Sequence, residues 1–193
     1  MEMEKKNLPS SDEVQKELKR EQYRVRYKKT LKSTIFALIT AAAAAVLVAT
    51  LWLPVLQIFG TSMTPTLEEG QIVLSVKADK MERGDVIAFY YGNKVLVKRY
   101  IAGPGEWVEI QEDGTVFVNG LALEEPYLEE KDFGICDLEF PYQVPDGMYF
   151  LMGDQRATSV DSRHSTVGCV AQDAIVGKII FRVWPMNVLG RIQ

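Results

Sequence analysis

Apolar residues are spread unevenly along this chain, in one long block followed by many short ones. From Ile35 to Leu53, nineteen residues pass without a charge, with only Thr40 and Thr50 as polar interruptions. As a helix such a run is about 28 Å long, close to the ~30 Å thickness of a bilayer's hydrocarbon core. Ahead of it, Ser10 and Glu13 are spaced as a capping box that opens a charged segment reaching about Lys32. Asp12/Lys16 and Glu17/Arg20 suit a solvated helix. Val14, Leu18, Val25 and Leu31 make only a thin stripe, so this segment reads as a charged tail rather than a binding module. After Gly60 the pattern turns to short β-like pieces. Ile72–Val76, Asp85–Tyr91, Val95–Ile101, Trp107–Ile110 and Val116–Val118 are β-branched or aromatic runs. Gly92-Asn93, Asp113-Gly114 and Asn119-Gly120 supply turns between them. Residues 121–146, rich in Glu, Pro and Tyr, predict a long, weakly structured excursion, and Met148–Met152 and Ile175–Trp184 predict two further strands. The expected architecture is mostly β: a transmembrane helix, then a β-rich domain.

Charge gives that architecture a direction. Residues 1–34 hold ten Lys/Arg against six Asp/Glu, a net of +4, and the remaining residues twelve against twenty, a net of −8. Arg20, Arg24, Arg26, Lys28, Lys29 and Lys32 all flank one side of the apolar run. By the positive-inside rule the N-terminus is cytoplasmic and the β-rich part lies outside. The expected division is a cytoplasmic segment at 1–34, a membrane anchor at 35–57 and an extracytoplasmic domain at 58–193. The charged region is too long and the apolar run too extended for a typical cleaved signal, although Ala41–Ala45 leaves cleavage open. An acidic outer domain argues against a nucleic-acid partner, which would favour a basic face. Two cysteines and one histidine are too few for a Cys/His zinc site, so no metal or other cofactor is expected.

Three stretches could carry chemistry. Ser62 lies in Gly60–Leu67, which is also a plain proline-braced turn. Lys98 interrupts an apolar strand on the face shared with Leu96 and Tyr100. Were that face buried, the ammonium would be desolvated and its pKa lowered towards that of a general base; were it solvated, Lys98 would be an edge-strand charge. Gly153–Arg163 is too polar for core, and within it Asp161 and Arg163 are placed to pair. A Ser-His-Asp triad through Asp161 and His164 is the weaker alternative, because acid and base usually come from separate segments. Cys136 and Cys169 both fall on the outer side, as a disulfide or as two free thiols.

Taken together these stretches resemble the motif boxes of bacterial type I signal peptidases. Ser62-Met63-Thr64-Pro65-Thr66, Lys98-Arg99 followed by Gly103-Pro104-Gly105, and Gly153-Asp154 to Asp161-Ser162-Arg163 occur in that family's order behind an anchor, over about residues 35–185. The resemblance implies a single-anchor, smaller-type Ser/Lys protease with the β-rich signal-peptidase catalytic domain. It would remove signal peptides from exported preproteins at the outer face of the cytoplasmic membrane, with membrane lipid as its other partner. By position, Ser62 would be the nucleophile, Lys98 the general base, and Ser159 the serine that orients the lysine. Asp161 and Arg163 match the supporting ion pair, and Asp154 the structural acid. Family geometry also implies small pockets for Ala-like residues one and three positions before the cut, for which Ile58, Met63, Val95 and Val97 are the candidates. Two positions depart from the pattern. Gly60 stands where part of the family has a serine that completes the oxyanion hole, and Gln155 stands where asparagine is usual.

Overall fold

The computed structural model describes residues 11–52, 54–77 and 80–192; the expected cap, Ser10, lies outside them. Helix α1 runs unbroken from Ser11 to Trp52, so the charged segment and the apolar run are one element. No glycine or proline interrupts that stretch, and Pro54 cannot continue it. The expected Glu17–Arg20 pair forms at 3.4 Å, joined by Glu21–Arg24 at 3.2 Å. Both are exposed, and such pairs contribute about 0.5 kcal/mol or less. The apolar part of α1 is long enough to cross a membrane. Chain contacts divide the protein into two units, residues 1–49 and 50–193.

The second unit is built from twelve short strands. These are β1 (Val55–Gln57), β2 (Ile72–Val76), β3 (Val86–Tyr91), β4 (Lys94–Ala102), β5 (Trp107–Ile110), β6 (Val116–Val118), β7 (Leu121–Ala122), β8 (Tyr142–Gln143), β9 (Met148–Met152), β10 (Val170–Ala171), β11 (Ile175–Trp184) and β12 (Gly190–Arg191). The larger sheet has the order β1-β2-β11-β3-β4-β9-β10, with β12 added to β11; the smaller is β7-β6-β5-β8. Every pairing is antiparallel. The hairpins predicted from turn signals are present, and 121–146 holds only β7 and β8.

One boundary differs from the expectation. Val55–Gln57 reads as the end of the membrane segment, but it pairs with Ile72–Leu74 as the sheet's edge strand. Pro54 separates the two states of the same apolar run: helix before it, strand after it. On β11, Gly177 marks a register shift against β3. A side chain there would strike the Val76 carbonyl and sit 2.7 Å from Ser75 Oγ, so only glycine lets β2 and β11 approach so closely.

Three buried clusters hold the unit together. Ile101, Val108, Val116, Val118, Phe150 and Met152 join the two sheets. Ile58, Met63, Leu67, Val73, Val86 and Ile179 pack beneath the turn that carries Ser62. Ile87, Phe89, Leu151 and Val170, with Leu96 and Tyr100 against them, pack on the face to which Lys98 belongs.

Candidate active site

The Ser62 turn is shaped by its apolar neighbours. Met63 and Leu67 are buried, and the Leu67 N–H donates to the Met63 carbonyl at 2.8 Å, so one helical turn sinks two side chains into the core. Burying each contributes about 2 kcal/mol, which fixes the turn firmly. Ser62, immediately before Met63, is left half-exposed. Among the described residues, no group accepts a hydrogen bond from its N–H. Thr66 donates to Asp154 Oδ2 at 2.5 Å, tying the far end of the turn to the loop after β9. The Thr64–Pro65 peptide is cis.

Lys98 lies at the middle of β4, opposite Ile87 on β3. It is 4% exposed, which decides between the two readings of its strand face. Burial lowers its pKa from 10.5 to about 8, against the opposing pull of the Asp161 and Asp154 carboxylates and with the help of the Arg163 charge. Its Nζ donates to Ser159 Oγ at 3.0 Å. Ser62 and Lys98 line the same cleft, of about 750 Å³, whose walls are residues 55–60 on one side and 94–98 on the other.

The loop 153–163 forms the shell. Asp161 takes the Arg163 guanidinium on both carboxylate oxygens, each at 2.9 Å, and accepts the Gly153 N–H at 2.9 Å. Burial, the largest single influence, raises the Asp161 pKa; the hydrogen bonds and charge of Arg163, the Gly153 N–H and the Ser159 hydroxyl outweigh it and hold the carboxyl low. Asp161 is therefore a carboxylate, and Ser159 accepts from Lys98 beside it. Asp154 pairs with Arg99 through two bonds, at 2.8 and 2.6 Å, with both side chains buried. Gly153 has no room for a side chain: a Cβ would meet Ser159 Oγ and the Ser62 carbonyl. The Gln155 N–H donates to that same carbonyl at 3.1 Å. The residue that stands in place of asparagine thus reaches the Ser62 turn through its backbone.

Ser62 and Lys98 line one cleft, and behind it Ser159 contacts Lys98, Asp161 pairs with Arg163, and Asp154 ties the Ser62 turn to Arg99. Ile58, Met63 and Val97 pack in a single cluster beneath the cleft, while Val95 stands more exposed at its mouth. His164 is placed elsewhere: it contacts Thr166 and lies 3.8 Å from Asp137 in an exposed cluster. Asp161 is occupied by Arg163, and His164 does not line the cleft that Ser62 lines, so the triad alternative is not assembled. Cys136 and Cys169 are free thiols, and burial raises the pKa of Cys169. Among the described residues, no group of His, Cys, Asp and Glu could hold a metal.

The family model described as "Signal peptidase, peptidase S26" matches residues 31–184. The chain belongs to the signal peptidase family. Signal peptidase I T of Bacillus subtilis (strain 168) is 35% identical over 153 residues, covering 69% of this chain and 75% of that protein. Signal peptidase I of Bacillus amyloliquefaciens is 38% identical over 141 residues, covering 66% of this chain and 72% of that one. A solved structure of a signal peptidase I from Enterococcus faecalis V583 is 33% identical with a TM-score of 0.45, over 53% of this chain and 98% of that one. As a signal peptidase, the chain is a serine hydrolase that cleaves signal peptides from preproteins.

Several residues of this peptidase's site escape a sequence reading. Lys98 announces itself as a charge in an apolar strand, and Arg99 beside it carries the same signal. Arg156 and Glu125 carry none, because their pairing joins positions 31 residues apart.

Proposed function

We propose that Ser62 is the nucleophile and Lys98 its general base. The reading is supported chiefly by one observation: a buried lysine, hydrogen-bonded to Ser159, lines the cleft that Ser62 lines. A neutral amine has one lone pair and two N–H bonds. Giving an N–H to Ser159 leaves the lone pair for the Ser62 hydroxyl. Ser62 Oγ attacks the scissile carbonyl carbon while its proton passes to Lys98 Nζ. When the tetrahedral intermediate collapses, the C–N bond breaks and the departing amine takes that proton. Water then attacks the acyl-enzyme, gives a proton to Lys98, and the Ser62 oxygen leaves with it. The Ser62 N–H is one donor for the oxyanion, and such donors contribute about 3 kcal/mol each. Gly60 brings no hydroxyl, and at φ +79° it holds a backbone that favours glycine.

The substrate's mode of binding is supported by two strand edges that carry no partner strand among the described residues. β1 is the last strand of its sheet, and β9 covers β4 only at Arg99–Ala102, leaving Lys94–Lys98 open on that side. An extended signal-peptide segment laid between them adds main-chain hydrogen bonds, with side chains alternating into the floor. Ile58, Met63 and Val97 crowd that floor and so favour small residues one and three positions before the cut. Helix α1 serves as a single-pass anchor in the lipid, N-terminus in the cytoplasm and peptidase unit outside.

The test is cleavage of a preprotein by detergent-solubilised full-length protein beside Ser62→Ala and Lys98→Ala. Both variants should be inactive while remaining folded. Cleavage surviving either change contradicts the dyad, and a wild type that binds without cutting points to a peptide-binding module.

A further inference from the structure

Residues 121–146 read in sequence as a weakly structured excursion, yet they reach the interior beside the site. Glu125 and Arg156 form an ion pair across 31 residues, with side chains 0% and 1% exposed. Arg156 Nη1 reaches the second carboxylate oxygen at 3.3 Å, so the pair is two-pronged. Tyr127 Oη donates to Glu125 at 3.1 Å, and burial, with the Glu125 charge, raises its pKa so that it stays protonated as that donor. The Tyr127 ring lies under the Arg99 guanidinium, 3.7 Å from its centre, a cation–π contact on the residue next to Lys98.

Arg156 sits in the turn that places Ser159. Its Nε donates to the Gly153 carbonyl at 3.1 Å, and its own carbonyl accepts from Arg163 at 2.9 Å. The same excursion takes hold a second time where Arg163 Nη1 donates to the Phe133 carbonyl at 2.8 Å. The loop 153–163 is thus gripped from outside at Arg156 and at Arg163, with Ser159 between the two. A buried ion pair contributes little net stability compared with apolar packing of the same volume. What a two-pronged pair does supply is a fixed orientation.

We propose that Glu125, supported by Tyr127, is a positioning residue for the reaction: it holds Arg156, and through that turn keeps Ser159 against Lys98. The inference rests on the Lys98 general-base reading. Loosening the brace lets the turn drift and water reach the amine, which eases the desolvation that favours the neutral form of Lys98. The acid limb of kcat/KM should then move up in pH.

The experiment is the pH dependence of kcat/KM for the full chain in detergent, with a preprotein substrate, for wild type, Glu125→Gln and Tyr127→Phe. In Glu125→Gln the limb should rise by about one unit, equivalent to about a tenfold loss on its acid side. Should that variant fail to fold because Arg156 is left unpaired, Tyr127→Phe removes only a hydroxyl and should still move the limb upward, by a smaller amount. A folded variant whose limb stays at the wild-type position, whatever its loss of Tm, overturns the inference while leaving the dyad standing. Activity in Lys98→Ala overturns both, since there is then no base to position.

Discussion

Lys98 Nζ donates to Ser159 Oγ at 3.0 Å, in a place where both side chains are almost wholly out of water. That contact joins a strand to a loop 61 residues further on. It also sets the direction in which the amine can act. Ser159→Ala should keep the fold and lower kcat by about 10- to 100-fold, the range of about 1.5–3 kcal/mol given by a hydrogen bond to a charged group. KM should change little, because Ser159 does not line the cleft. Steady-state kinetics on a preprotein or peptide substrate separates the two constants.

Lys98 carries a stability cost that can be measured without any substrate. In the unfolded chain it titrates near 10.5 and in the fold at about 8, so between these values the unfolded state binds more protons. Stability therefore rises as the pH climbs from 8 towards 10.5, and below 8 the full cost of about 3 kcal/mol applies. Lys98→Met should abolish cleavage yet raise Tm at pH 7, with the gain fading above pH 8. Thermal melts of both proteins across that range give the answer.

Gly153 is held to glycine by its neighbours rather than by its backbone angles. Gly153→Ala pushes a methyl into Ser159 Oγ and the Ser62 carbonyl, so one atom group displaces both sides of the site. Activity should fall by at least about 100-fold, because small misplacements of reacting groups have effects of that size. Stability should fall by about 1–3 kcal/mol, as for overpacking. An activity assay normalised to folded protein, with a denaturant titration alongside, checks both numbers.

Asp154 and Arg99 form a buried, two-bonded ion pair that links β4 to the loop behind the site. Asp154→Asn removes the carboxylate that balances the buried Arg99 charge and should destabilise by about 3–5 kcal/mol. The loss should exceed that of any exposed pair on α1, where Glu17→Gln should change Tm by less than a degree or two. Differential scanning of the two variants makes the comparison.

Much of this was legible in the sequence, and the reasons differ from residue to residue. Alternation around Lys98 placed it with Leu96 and Tyr100, and the packing of that face is what desolvates it. Asp161 and Arg163 were close enough in sequence for their pairing to be read directly. β1 was hidden because Val55–Gln57 continues an apolar run, and its partner lies 15 or more residues further on. Glu125 was hidden more thoroughly: a stretch of Glu, Pro and Tyr has the composition of a solvated loop, and it takes Arg156 and Tyr127 to make burial of that carboxylate tolerable.

The central claim is that a buried, neutral Lys98 takes the proton from Ser62. The most direct measurement is the pH dependence of kcat/KM for the full-length protein, from about pH 5 to 10. The rate should rise through a single limb near pH 8, where Lys98 loses its proton in the free enzyme. A profile that stays flat down to pH 5 would contradict the claim, as would a limb close to the 10.5 of an ordinary lysine.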